Sequence, residues 1–227
     1  RGVTPDGKLR PTREQAPELY KESPVGWIPR EWEVDNIGDL FHIQLGKMLS
    51  KVAKTGKWSA RYLANKNIQW DNVNLSNLEQ MDFSPTEREK YKLIVNDLLV
   101  CEGGDVGRTS MWRGEIELCF YQKAIHRLRP KDKRINPALM LRFMRYYKQI
   151  GAFSDFTSQT SIAHLTQEQL RKVKVLIPTL MEQLRMIEGF DYIDDKISAE
   201  TTYSEKLKAQ KSGLMHDLLT GKVQVKI

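Results

Sequence analysis

The chain has 227 residues, 40 % of them apolar and 29 % charged, a globular balance that supports a real core in one sizeable domain with an appendage. No run approaches the roughly 18 to 20 apolar residues of a membrane span, and two cysteines, Cys101 and Cys119, cannot staple a fold of this size, so a reducing cytoplasm is the expected setting. Lys and Arg outnumber Asp and Glu by 36 to 29, a formal charge of +7, which favours a polyanionic partner without naming one.

Residues 1–31 hold five of the nine prolines (Pro5, Pro11, Pro17, Pro24, Pro29) among mostly polar residues. They read as an extended leader with little core of its own, its end pinned to the domain by Trp27 and Ile28. Residues 32–178 mix short apolar runs with helical stretches. Strands are expected at Leu40–Leu45, at Leu98–Cys101 before Gly103-Gly104, at Ala124–Leu128 before Pro130, and at Val173–Ile177 before Pro178. Pro137 fits the first turn of a helix running to Lys148, and Thr166-Gln167-Glu168-Gln169 fits a capping box. Short strands and helices without regular βα alternation imply an α+β fold.

A second capping box, Thr179-Leu180-Met181-Glu182, opens a helical stretch over 179–219, followed by a tail over 220–227. Its apolar steps of three and four place Leu184, Ile187, Ile193, Ile197, Leu207, Leu214 and Leu218 on a coiled-coil seam. Such a helix spans about 60 Å at 1.5 Å per residue. A narrow apolar stripe of that length is unstable uncovered, and the sequence offers no second long helix, so a partner helix is expected.

Catalytic signatures are missing. There is no phosphate-binding loop or dinucleotide fingerprint, and no Cys/His spacing suits a structural metal. Asp97, Glu102 and Asp105 flank one strand end and are the residues a metal-dependent nuclease would use; otherwise the sequence reads as non-catalytic with no metal. Nine Lys/Arg between Lys123 and Lys148 face Asp132 alone, whereas Glu182 to Glu205 is acidic. A basic domain on an acidic arm fits a phosphate-facing surface joined to a protein-facing helix.

Base reading needs polar side chains on loops or helix ends that can enter a groove. The candidates are Lys47, Ser50 and Lys51 after a strand, Asn65 and Asn67, Arg108 and Thr109 beyond the glycine cluster, and Tyr121, Gln122 and Lys123. Ser158, Gln159, Thr160 and Ser161 precede the capped helix, and Lys131 and Lys133 are expected on phosphates.

These residues also carry a resemblance. Leu45-Gly46-Lys47-Met48-Leu49, Tyr62-Leu63, Asn67-Ile68, Asp97-Leu98-Leu99-Val100, Gly104-Asp105-Val106-Gly107-Arg108, Arg127-Leu128-Arg129-Pro130, Thr160 to Leu165, and Ile177-Pro178 leading into Glu182-Gln183 resemble, in order, a target-recognition domain of type I restriction–modification specificity subunits. Gly213 to Gly221 is similar to the end of such a subunit, and Arg10 to Pro29 to the lead-in of its second recognition domain. Thr179 stands where the family often has a second proline. The resemblance covers one half of a full subunit, whose two halves pack with their long helices antiparallel. It implies a non-catalytic cytoplasmic reader of one half of a bipartite double-stranded DNA sequence, with no cofactor of its own. Modification subunits would supply S-adenosylmethionine and adenine methylation, and restriction subunits would supply ATP- and Mg-dependent translocation and cleavage. A second half-subunit or a second copy would pair with the long helix. A coiled-coil interaction protein and a nuclease domain with an unrecognised metal site are the competing readings.

Overall fold

The apolar runs become short strands, and the prolines and glycines between them become turns. The computed structural model describes residues 1–4, 6–50, 55–153 and 164–223, in two units, Arg1–Gln183 and Leu184–Ile227. In sequence order the strands and helices are β1 (Tyr20–Ser23), β2 (Gly26–Pro29), β3 (Glu33–Asn36), α1 (Ile37–Leu40), β4 (Phe41–Leu45), β5 (Ser59–Leu63), β6 (Ile68–Gln69), β7 (Asn72–Val73) and β8 (Glu79–Asp82). There follow α2 (Pro85–Tyr91), β9 (Leu98–Cys101), β10 (Thr109–Met111), β11 (Phe120–Tyr121), β12 (Ile125–Pro130), α3 (Pro137–Gln149), α4 (Gln167–Lys172), β13 (Lys174–Ile177) and α5 (Leu180–Leu219). The mixture is α+β, and among the described residues no helix is long and apolar enough to cross a membrane.

A four-stranded sheet in the order β10-β9-β12-β4 organises the first unit, and every pairing in it is antiparallel. Beside it lies a three-stranded sheet, β11-β5-β8, with β11 parallel to β5. Strand alternation places Tyr62 and Phe120 in one cluster with Met81 and Phe83, and Leu63 and Tyr121 in another with Leu99, Trp112 and Ile125. Around β11 and the end of β5 the second sheet is therefore buried on both faces and shares core with the first, whereas Ser59, Arg61, Glu79 and Gln80 stay exposed.

The proline-rich leader is more structured than its composition suggests. β1 and β2 form a hairpin, with Tyr20 and Ile28 buried and Trp27 about half exposed. Thr166 caps α4 reciprocally with Gln169, as the pattern predicts, and a capping box that sequence reasoning missed joins Ser84 to Glu87 at α2.

At α5 only half of the predicted box forms. Thr179 Oγ1 accepts from the Glu182 backbone N–H at 3.4 Å, but the Glu182 carboxylate is engaged elsewhere. It accepts from Val3 N at 2.7 Å, the Trp32 indole at 2.7 Å and the Arg10 guanidinium at 3.0 Å. Arg10 and Glu182 are 4 % and 5 % exposed, so tertiary partners have displaced the local cap. Gly2 makes the approach possible: with φ +65°, its added Cβ would lie 2.0 Å from Glu182 Oε1. Gln183, also buried, accepts from Asn136 N at 2.7 Å and donates to Arg134 O at 2.7 Å and Pro178 O at 2.9 Å. The first turn of α5 thus belongs to the first unit, and the division falls after Gln183.

Two substitutions test this framework. Glu182→Ala leaves the buried Arg10 guanidinium with Glu31 at 3.3 Å and Arg1 O at 3.1 Å and strips the Trp32 and Val3 donors of their acceptor, so it is expected to cost about 2–4 kcal/mol in urea unfolding, whereas replacing Arg10 and Glu182 together by Met and Leu should restore much of that loss. A single-variant loss below about 1 kcal/mol would mean that water, not the ion pair, satisfies these groups. Gly46→Ala would place a methyl 2.2 Å from Gln122 O, and the forced shift should lower stability by about 1–3 kcal/mol. An unchanged melting temperature would rule out the tight approach.

Candidate nucleic-acid interface

The antiparallel ladder around β12 brings strand ends together. The C-terminal ends of β4 and β9 lie beside the start of β12, since His126 faces Leu45 and Ile125 faces Cys101. β10 starts at the same end, with Thr109 opposite Val100, and Tyr121 of β11 faces Leu63, the last residue of β5.

The connecting segments are laced by backbone hydrogen bonds. Gly46 N donates to Ile125 O at 3.0 Å, Lys47 N to Tyr121 O at 3.1 Å and Lys123 N to Lys47 O at 2.7 Å. Gln122 N donates to Leu63 O at 3.0 Å, Glu102 N to Ala124 O at 2.9 Å and Leu165 N to Glu102 O at 2.8 Å. A bridge joins Gly103 to His164. Side chains complete the cluster: Asn65 Nδ2 donates to Gly103 O at 2.9 Å, and an Arg108 NH2 group donates to Asn65 O at 3.0 Å. His126 Nε2 lies 2.8 Å from Leu165 O, and burial depresses the imidazole pKa, which keeps it neutral. Four of the five loop candidates from the sequence, around residues 47, 65, 108 and 122, meet at this one end.

Not every candidate in those loops is available to a ligand. Asn67 is buried; its Oδ1 accepts from Ala64 N at 2.9 Å and its Nδ2 donates to Asn74 O at 2.8 Å. Thr109 is fully buried and donates to Gly107 O at 2.8 Å. Tyr121 is fully buried, with its hydroxyl donating to Gln44 O at 3.3 Å. These three support the loops from inside rather than face a groove. The Lys47 ammonium donates to Asp82 O at 2.6 Å and to Glu87 at 2.7 Å. Ser50 and Lys123 are exposed, and Asn65, Arg108 and Gln122 are half-buried. Lys51, Ser158, Gln159, Thr160 and Ser161 lie outside the described residues.

Lys131 and Lys133 follow the far end of β12, about 20 Å from its start for six extended residues. Lys131 donates to Gly38 O at 2.6 Å, and Lys133 helps line a cavity of about 420 Å³ with Glu31, Glu33 and Thr179. Both therefore lie at the opposite end of β12 from the loop cluster.

The basic run is also largely engaged inside the protein. Arg129 grips Asp97 through two bonds of 2.8 and 2.7 Å, Arg134 pairs with Asp35 at 2.8 Å and Lys148 with Asp105 at 2.8 Å. Arg145 pairs with Asp71, and Arg127 donates to Lys90 O at 3.0 Å and Lys92 O at 3.4 Å near the C-terminus of α2. Only Lys123 and Lys133 of the run keep ammonium groups without a partner among the described residues.

The nuclease reading fails on the same geometry. Asp97 is fully buried against Arg129 and separated from Glu102 by the whole of β9. Among the described residues no three His, Cys, Asp or Glu gather as a metal site.

Sequence reasoning missed a second exposed feature. Hydrogen bonds from Thr55, Trp58 and Gly56 hold the Asp82 carboxyl below its usual range and fix a loop on which Lys57 covers the Trp58 ring at 4.4 Å. The signal was the adjacent base and aromatic in Lys57-Trp58.

On α5 the seam is open. Leu184, Ile193, Ile197, Leu207, Leu214 and Leu218 are each 39 % exposed or more, and Ile187 is half-buried.

A family model for the type I restriction modification DNA specificity domain matches residues 29–209. Two Methanocaldococcus jannaschii proteins are similar in sequence: the MjaVIII type I restriction enzyme specificity subunit is 26 % identical over 222 residues, covering 91 % of this chain and 50 % of the relative. A protein named for the MjaX specificity subunit is 25 % identical over 209 residues, covering 89 % and 49 %. The chain therefore spans about half the length of the curated relatives it matches. Its fold is shared with a protein from a structure of the type I R-M system, solved for complex assembly and conformational transition, at TM-score 0.68 and 17 % identity over 92 % of this chain and 49 % of that one. The HsdS subunit of Thermoanaerobacter tengcongensis matches at TM-score 0.62 and 17 % identity, over 91 % and 49 %. With a family match across most of its length and a fold common to these structures, the chain belongs to the type I restriction–modification DNA specificity domains.

Proposed function

We propose that this protein reads one half of a bipartite duplex DNA sequence, as half of a type I specificity subunit in the cytoplasm. The observation that carries the reading is the convergence of four loops at one end of the β10-β9-β12-β4 sheet. A fixed backbone frame carrying Ser50, Asn65, Arg108, Gln122 and Lys123, with the Lys47 ammonium tied inward to Asp82 O and Glu87, suits groove reading, in which frame and base contacts are separate tasks. Lys51, Ser158, Gln159, Thr160 and Ser161 remain proposed DNA contacts on their sequence pattern alone.

The protein does no chemistry in this scheme. Modification subunits bind S-adenosylmethionine and methylate adenine; flipping of that base belongs to them. Restriction subunits use ATP and Mg for translocation and cleavage. The exposed row on α5 pairs with the helix of a second half-subunit or a second copy, and the helix length sets the distance between half-sites. An adenine-methylation map of the host genome, with the encoding gene intact and deleted, tests the whole reading. Loss of methylation at one bipartite motif is expected. An unchanged map, with an active modification subunit present, would overturn it.

Two sharper expectations follow from side-chain placement. Lys123→Ala and Lys133→Ala should each weaken duplex binding about equally for all sequences and reduce the slope of log K against log salt by about one. An unchanged slope for Lys133→Ala would confine the phosphate contacts to the loop end of β12. Leu207→Asp with Leu214→Asp should abolish helix-mediated assembly in sedimentation while leaving the fold of Arg1–Gln183 intact. Unaltered assembly mass would place the interface off the seam.

A further inference from the structure

Strand β5 leads straight into the loop cluster, and its outward face carries charge of one sign. Alternation turns Ala60 and Tyr62 toward the core and leaves Ser59 and Arg61 exposed. Across the ladder Ser59 faces Asp82 and Arg61 faces Gln80, and Ser59 Oγ donates to Gln80 Oε1 at 2.8 Å. Asp82 shares this face but is buried, its carboxylate accepting from Thr55 Oγ1 at 2.6 Å, Gly56 N at 2.9 Å and Trp58 N at 2.9 Å. Glu79, the other acid of the two strands, accepts from the Tyr62 hydroxyl at 2.7 Å and from Lys66 at 2.8 Å. Both carboxylates are thus engaged by neighbours. The cations are not: Lys57 and Arg61 are exposed, and neither makes a hydrogen bond or ion pair among the described residues. Lys57 Nζ lies over the Trp58 ring at 4.4 Å from its centroid. The Trp58 backbone is itself fixed, its N on Asp82 and its O accepting from Phe83 N at 3.0 Å and an Arg88 NH2 group at 3.3 Å. A lysine that would otherwise sample many rotamers is thereby held over an anchored loop.

Arg61 precedes Leu63 by two residues, about 7 Å of strand, and Leu63 O accepts from Gln122 N at 3.0 Å. The basic face therefore runs into the segment that carries Lys123, and this continuity favours DNA over an acidic protein surface. An ammonium and a guanidinium offer donors only, so the ligand that fits them offers acceptors and repeated negative charge. Lys57 and Arg61 are four residues apart, up to about 13 Å, whereas each strand of a duplex carries a phosphate about every 3.4 Å of axis. The two cations can thus meet different phosphates. We infer that the outer face of β5 and β8 binds the backbone of the duplex beside the half-site, Lys57 and Arg61 each neutralising one phosphate and Trp58 positioning Lys57. This rests on the reading that the protein recognises duplex DNA, and it assigns these residues to affinity and orientation, not to base choice.

The test uses the complete complex with its modification subunits, titrated at several salt concentrations with a duplex carrying the mapped motif and with one of scrambled sequence. Lys57→Gln and Arg61→Gln should each weaken binding to both duplexes by a similar factor and reduce the slope of log K against log salt by about one, and the double variant by about two. Arg61→Lys should keep the wild-type slope. Trp58→Leu retains the backbone bonds to Asp82 and should cost about two- to fivefold in affinity. Beside Lys57→Gln the same change should cost nothing further, a coupling that a purely structural role would not produce. Wild-type slopes in both Gln variants overturn the assignment, while DNA recognition stands as long as the motif duplex is preferred. Unchanged slopes together with lost modification-subunit binding, read by sedimentation without DNA, would give the face to an acidic protein surface instead. If the wild-type complex does not distinguish the motif from scrambled DNA, the parent reading falls.

Discussion

The double pairing of β12 is the constraint on which the rest of the recognition unit depends. A strand bonded on both sides must satisfy neighbours whose backbone directions oppose its own, and that opposition brings their ends level. It also buries polar side chains. His126 and Arg127 are 0 % and 7 % exposed, so each needs partners outside the ladder. Leu165 O serves His126, the carbonyls of Lys90 and Lys92 serve Arg127, and Asp97 serves Arg129 on the same strand. Through these bonds β12 fixes α2, the start of β9 and the segment leading to α4. The loop cluster inherits its order from a strand that contributes little surface of its own.

A second buried charge does comparable work at the root of α5. The Glu182 carboxylate collects three donors, and two of them, from Val3 and Arg10, precede the region matched by the family model. The leader is therefore structurally part of the recognition unit. A buried pair of this kind is poor evidence of net stability, and Arg10 keeps a second carboxylate, Glu31, at 3.3 Å; what the pair fixes is where the leader meets the start of α5. Gln183 adds a second stitch, to the turn before α3.

What was legible in the sequence was what local pattern determines. The runs Leu98–Cys101 and Val173–Ile177, the proline start of α3 and the Thr166 box need only neighbours in sequence. Two of the misreadings involve distant partners. Thr179 to Glu182 has the spacing of a box, yet Glu182 bonds residues 150 to 179 positions away. The basic run looked free because Asp97, Asp35 and Asp71 lie 32, 99 and 74 positions from the arginines they neutralise. Tyr121 and Thr109 sit beside true loop residues, and only the strand alternation decides which neighbour turns inward. Composition likewise hid the β1-β2 hairpin, because prolines mark its ends as well as they mark a flexible leader.

The manner in which the loops are joined bears on how such a surface can change its reading. Between residues 46 and 165 most of the bonds that hold the cluster run from backbone amides to backbone carbonyls, and these survive almost any substitution. Side chains at positions such as Lys123 and Gln122 can vary without disturbing the frame. Gly46 is fixed by the absence of a side chain and Asn67 by its two bonds to the backbone. Asn65 stands between the two classes, its amide nitrogen committed to Gly103 O and its residue half-buried. Under the proposed reading, a scaffold that separates backbone lacing from exchangeable side chains could alter its recognised sequence with little loss of stability, because the interactions that create the fold would not be the ones that select the bases.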